Sequence, residues 1–114
     1  MTQPAKGNRA FIAGGYDMVG RKFFERLTKS KIPAWQKAAF HCYATMNANG
    51  HRPMREGELG EVVGKRDVKE VRKDVKKAIA EGFLDPLSNE RCLVAPYDVV
   101  YRGGNFKGGQ CPFH

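Results

Sequence analysis

The sequence predicts an α+β fold, mainly helical, with one small β-hairpin. Apolar residues recur three and four apart in successive segments between Arg21 and Glu81, the spacing that gives a helix one apolar face. A short β-prone run, Arg91 to Ala95, follows Pro86 and a polar turn. A chain of 114 residues with a hydrophobic fraction of 41% suits one small domain with a modest core, and its 13 glycines assign part of the length to loops or tails.

Residues 1–20 show little periodicity and are expected to form a flexible N-terminal arm. From Arg21 to Lys31, Phe23, Phe24 and Leu27 share one side of a short amphipathic helix surrounded by five cations. Pro33 opens the next helix, because proline is tolerated in a first turn. Trp35, Ala38, Ala39, Cys42 and Met46 carry that helix to about Ala48, where Asn49-Gly50 stops it. A short helix from Glu56 to Val63 offers Leu59, Val62 and Val63 to the core and ends at Gly64.

Lys65 to Glu81 forms the next helix, with Asp67 as its cap and Glu70 completing a capping-box-like pair. Val68, Val71, Val75, Ala78 and Ile79 make its inward stripe, and Gly82 ends it. Phe83 and Leu84 pack back, and Pro86 blocks continuation. Ser88-Asn89-Glu90 turns the chain into the strand Arg91–Ala95, which is expected to pair with residues near Leu84 to Leu87. The run 97–102 supplies a further strand or an irregular crossing. Domain organisation follows: an arm over 1–20, a domain over 21–100, and a glycine-rich tail over 101–114. The order of short helix, Gly-Lys turn, basic helix and hairpin is that of a winged helix-turn-helix.

Charge narrows the function. Twenty Lys and Arg against 12 Asp and Glu give +8 and a pI near 9.6, a balance that favours a polyanionic partner, most often nucleic acid. The helix Lys65–Glu81 concentrates it, with seven cations against four anions. Arg66, Lys69, Arg72, Lys73 and Lys76 lie away from, or flank, its valine stripe, so they can neutralise phosphates and release counterions. Lys65 stands at the start of the same helix and joins them as a DNA-binding candidate. Residues near the start of such a helix reach base edges in a major groove, which selects Arg66, Lys69, Glu70 and Arg72 or Lys73 as readers. Lys76 and Lys77 hold the backbone. Asn89 and Arg91 stand at the wing, within reach of a neighbouring phosphate or minor groove. The plainer alternative is a solvated face of Lys/Glu pairs.

Two short motifs carry a resemblance. AIAEGFLDPLSNERCLVAP at 78–96 and CPFH at 111–114 resemble elements of small winged-helix proteins of actinobacterial phages and mobile elements. That family has a Val- and Arg-rich recognition helix, an Arg-Cys-Leu-Val-x-Pro strand and a closing Cys-Pro-x-His. The resemblance extends from Pro33 to His114 and implies DNA binding, but neither the target nor the physiological output.

The cysteines raise a metal question. Cys42, Cys92 and Cys111 are three in number, so one is left over by any internal disulfide, and a reducing, cytoplasmic compartment is the simpler expectation. Cys111 and His114 have a spacing that brings two side chains to one ion, and Cys92 lies on a strand to which the tail can fold back. These three form a candidate structural zinc site, with His51, His41 or Cys42 as fourth ligand. The alternative is a buried Cys92 and a free chain end; Cys42 itself reads as a core residue.

No enzyme activity is expected. Gly103-Gly104 and Gly108-Gly109 lack the lysine and helix of a phosphate-binding loop, and His41 and Cys42 diverge as helix neighbours. No membrane partner is expected, because no apolar run reaches the roughly 18 residues a spanning helix requires. The N-terminal stretch also lacks the apolar core of a secretory signal. Phe23, Phe24, Trp35 and Phe40 read as core before they read as stacking platforms for single-stranded bases. The expected partner is therefore double-stranded DNA, engaged by a transcriptional regulator or an accessory factor for replication or recombination. A homodimer is expected where half-sites are paired. A winged-helix module that binds an acidic host protein is the alternative from another class, and an RNA or single-strand binder is the third.

Overall fold

The computed structural model describes residues 17–96, 98 and 99. It is an α+β arrangement of four helices and a two-stranded antiparallel sheet among those residues. In chain order these are α1 (Arg21–Thr28), α2 (Ala34–Thr45), β1 (His51–Pro53), α3 (Glu58–Val63), α4 (Val68–Ala80) and β2 (Cys92–Val94). No described helix is long and apolar enough to cross a membrane.

Helix α2 is the centre of the fold, packing against α1, α3, α4 and the sheet. Ala38, Ala39 and Cys42 are fully buried on it, and side chains this small let neighbouring helices approach closely. Leu59 from α3, Val71, Val75 and Ala78 from α4, Leu84, and Leu93 from β2 complete the core. Full burial of a leucine or valine contributes about 1.5–3 kcal/mol. An aromatic group closes one end. Phe24 stacks on Phe40 with centroids 5.8 Å apart and meets Tyr43 edge-on at 5.4 Å, while Trp35 meets Phe83 edge-on at 4.9 Å. Tyr43 Oη donates to the Phe83 carbonyl at 2.5 Å, fastening α2 to the turn after α4. Burial drives the Tyr43 phenol well above its ordinary range, with Cys42 and Asp98 adding to the push.

Helix ends differ from expectation for local reasons. Helix α2 stops at Thr45 instead of running to Ala48, because Asn47 offers the backbone another partner. Its Oδ1 accepts from the N–H groups of Asn49 at 2.9 Å and His51 at 3.1 Å. Arg21 satisfies the helix end by donating to the carbonyls of Ala44 and Met46, both at 3.1 Å. Gly57, at φ 82°, delays α3 to Glu58. Asp67 caps α4 through a 2.9 Å bond from the Lys69 N–H, so the helix begins at Val68 instead of Lys65. The capping-box partner does not form: Glu70 pairs with Lys73 at 3.1 Å instead.

The sheet has a partner the sequence did not announce. Strand β2 pairs with β1, in the register His51–Val94, Arg52–Leu93 and Pro53–Cys92, and not with residues 84–87. The preceding segment is tied to it by the Asp85 N–H on the Val94 carbonyl at 2.8 Å, by Ser88 Oγ bonding Val94 on both sides, and by a single antiparallel bridge between Asn89 and Cys92. Residues 85–91 form tight turns because Asp85 and Asn89 hold the backbone through their own side chains. Asp98 and Val99 form a turn; the rest of the expected 97–102 crossing, residues 1–16 of the arm and the tail 101–114 lie outside the described residues.

Candidate nucleic-acid interface

The approach of α3 to α4 depends on two glycines. Gly64 takes a left-handed conformation, φ 76°, that reverses the chain. Gly60 lets the turn pass close: a Cβ there would lie 2.6 Å from the Lys65 carbonyl oxygen. The Lys65 N–H bonds the Gly60 carbonyl at 2.9 Å. These contacts set α4 with Val71, Asp74, Val75 and Ala78 buried and its other side open to solvent.

The open side carries the cations. Arg66, Lys69, Arg72, Lys73 and Lys76 are all exposed. Among the described residues, Arg66, Lys69 and Lys76 make no ion pair, whereas Arg72 reaches Glu90 at 3.0 Å and Lys73 reaches Glu70. Lys77 pairs with Glu81 at 3.5 Å one turn on. Arg72 and Lys76 face Asn89 and Glu90 across a cleft of about 150 Å³ between α4 and the 85–91 turns.

The remaining candidates are held by the fold. Lys65 is half-buried and donates to the buried Asp74, 3.1 Å to one carboxylate oxygen and 2.9 Å from the other, bracing the turn against α4. Asn89 Oδ1 accepts from the backbone of Arg91 at 2.8 Å and Cys92 at 3.0 Å. Arg91 is also half-buried and donates from Nε to the Met54 carbonyl at 3.1 Å. Val68, expected in the inward stripe, is instead 46% exposed: the helix starts there, ahead of the turn at which α4 meets the core.

Around α3, His41 lies 3.8 Å from Glu58, which binds Arg52 at 2.6 Å. Burial holds the His41 pKa below its ordinary 6.5, Arg52 adds to that push, and Glu58 opposes it. On the outer surface, a two-armed hydrogen bond from Arg55 to Glu61 lowers the Glu61 carboxyl and raises the guanidinium.

Of the zinc candidates, Cys92 is fully buried on β2 with its Sγ 3.7 Å from His51 Nδ1, while Cys111 and His114 lie outside the described residues. Among the described residues no group of three or more His, Cys, Asp or Glu side chains converges as a metal site. Cys42 belongs to the core and His41 faces Glu58. Phe24, Trp35 and Phe40 pack against the core as expected, but Phe23 stands out from it.

Sequence reasoning passed over Gly60, Glu90 and β1. Gly60 falls inside a helical stretch, and only the return of the chain makes its missing Cβ matter. His-Arg-Pro is too short for alternation to register as a strand. No protein-family model, curated protein or solved structure matches this chain.

Proposed function

We propose that this chain is a winged helix-turn-helix protein that binds double-stranded DNA, with α4 in the major groove and the 85–91 turns serving as a short wing. One observation carries the reading: the side of α4 opposite its core stripe holds Lys69 and Lys76 without ion pairs, flanked by Arg72 and Lys73 in exposed ones, and Arg66, also without an ion pair, stands in the turn just before the helix. Cations held inside the fold's own bonds have little to offer a phosphate, whereas exposed ones exchange counterions for it. The paired set has a structural role: Lys65, Asn89 and Arg91 fix the turns on either side of α4.

The start of α4 and the turn before it face base edges, and Arg66 and Arg72 are the side chains best suited to guanine there. The output is transcriptional regulation, or assistance to replication or recombination of a phage or mobile element. That choice rests on the two motifs at 78–96 and 111–114. The decisive test selects bound sequences from a random duplex library and compares wild type with the triple variant Lys69→Ala, Arg72→Ala, Lys73→Ala. The wild type enriches a site and the folded variant enriches none; equal enrichment overturns the assignment.

A structural zinc ion is part of the same proposal: Cys92 Sγ and His51 Nδ1, in hydrogen-bond contact at 3.7 Å, stand close enough for one ion to take the place of that contact. Cys92, Cys111 and His114 supply three ligands and His51 the fourth, tying the tail to the sheet. Metal analysis of the purified chain should find one equivalent, and less than about 0.2 equivalents rules the ion out.

A further inference from the structure

An apolar groove is formed between α1, α2 and the turn that follows α4. Phe24, Phe40, Tyr43, Gly82, Phe83 and Val99 line it, its volume is about 420 Å³, and Glu81 stands at its rim. The proposed DNA contacts use none of these residues. Directly beside the groove, α1 exposes an aromatic ring: Phe23 is 45% exposed although its neighbour Phe24 is packed. Met18 and Val19, just before the helix, are exposed as well. Among the described residues Phe23 is outside the core, and its ring stands next to Phe24 in the groove wall.

We propose that this face joins two copies of the chain, each inserting Phe23 into the groove of the other. Two features select a second copy as the occupant. The first is adjacency. The Phe23 and Phe24 rings are only 6.0 Å apart, so the inserting side chain and the groove wall sit on one helix. A two-fold axis between the two α1 helices brings each Phe23 to the other's groove and leaves no second surface unsatisfied, which closes the assembly at a dimer.

The second feature is charge. Arg26 lies one turn beyond Phe23 with its guanidinium 5.8 Å from that ring, so it travels with the inserted side chain. The carboxylate it meets at the groove rim is Glu81, whose own partner is Lys77 in a loose surface pair at 3.5 Å. Glu25 falls on the other side of the α1 turn and does not oppose the contact. The dimer stands independently of the DNA reading, although it also supplies the paired α4 helices that two half-sites require.

Sedimentation velocity on the full chain tests the proposal. Wild type sediments as a dimer at about 100 μM, and Phe23→Asp, a change at an exposed site, weakens the dimer at least about 100-fold with unchanged circular dichroism. Arg26→Glu also weakens it, and Arg26→Glu with Glu81→Arg restores it. A monomeric wild type, a Phe23→Asp protein that still dimerises, or failure of the double charge reversal to rescue would each overturn the proposal. Because no DNA is present, failure here is distinct from failure of duplex binding.

Discussion

Arg72 reaches out of α4 to Glu90 in the turns before β2, with its Nε 3.0 Å from the carboxylate oxygen. A cation on the open side of α4 is thereby held by an acid of the neighbouring turn. In the DNA reading, the duplex must displace that carboxylate before Arg72 can meet a phosphate or a base. Glu90→Gln should therefore raise duplex affinity roughly two- to fivefold, matching the ~0.5–1 kcal/mol of an exposed ion pair. Fluorescence anisotropy with a labelled duplex measures it, and an unchanged or weaker affinity means that Arg72 does not touch DNA.

Lys65 and Lys69 should separate cleanly in their effects. Lys65 holds the buried Asp74, so Lys65→Met should cost about 1–3 kcal/mol of stability, most of it from the acceptor left without a partner. Its effect on the salt dependence of binding should be small. Lys69→Ala should leave stability within about 0.5 kcal/mol and reduce the salt slope by about 0.9, the value of one phosphate. Urea denaturation and binding across a salt series distinguish the two.

Gly60 is required by the turn it touches. A Cβ at 2.6 Å from a backbone oxygen cannot be accommodated by a side-chain rotation, so α3 and the Lys65 turn must separate. Gly60→Ala should destabilise by about 1–3 kcal/mol and loosen the placement of α4. Thermal unfolding tests this, and a melting temperature equal to wild type contradicts it.

His41 gives a pH dependence with a definite sign. Its pKa is lowered in the folded state, so the unfolded chain binds the proton more readily. The corresponding stability is complete above 6.5 and is lost as pH falls through the lowered folded value. Melting temperature should fall as the pH drops below 6.5, and His41→Gln should flatten that part of the curve. A curve identical in both proteins would show that His41 does not contribute.

The helices and their order were legible because their apolar spacing is long and regular: Val71, Val75 and Ala78 face inward as the pattern requires. Their ends were not, since Asn47 and Gly57 decide them through a side-chain bond and a backbone angle that periodicity does not encode. Strand pairing was least legible. Leu93 reads as strand, but whether it pairs forward or back depends on how the 85–91 turns fold, and Asp85 and Asn89 bond their own backbone there. At the candidate site, residue type located the cations of α4, while only their partners separated Lys65, Asn89 and Arg91 from Arg66, Lys69 and Lys76.

The salt dependence of duplex binding tests the central claim most directly. If the open side of α4 meets the backbone through about four to five phosphates, log affinity should fall against log salt with a slope of about −4. The Lys69→Ala, Arg72→Ala, Lys73→Ala protein should show a slope reduced to between about −1 and −2 with its fold intact. Absence of duplex binding at low salt, or a slope that the triple substitution leaves unchanged, would contradict the account.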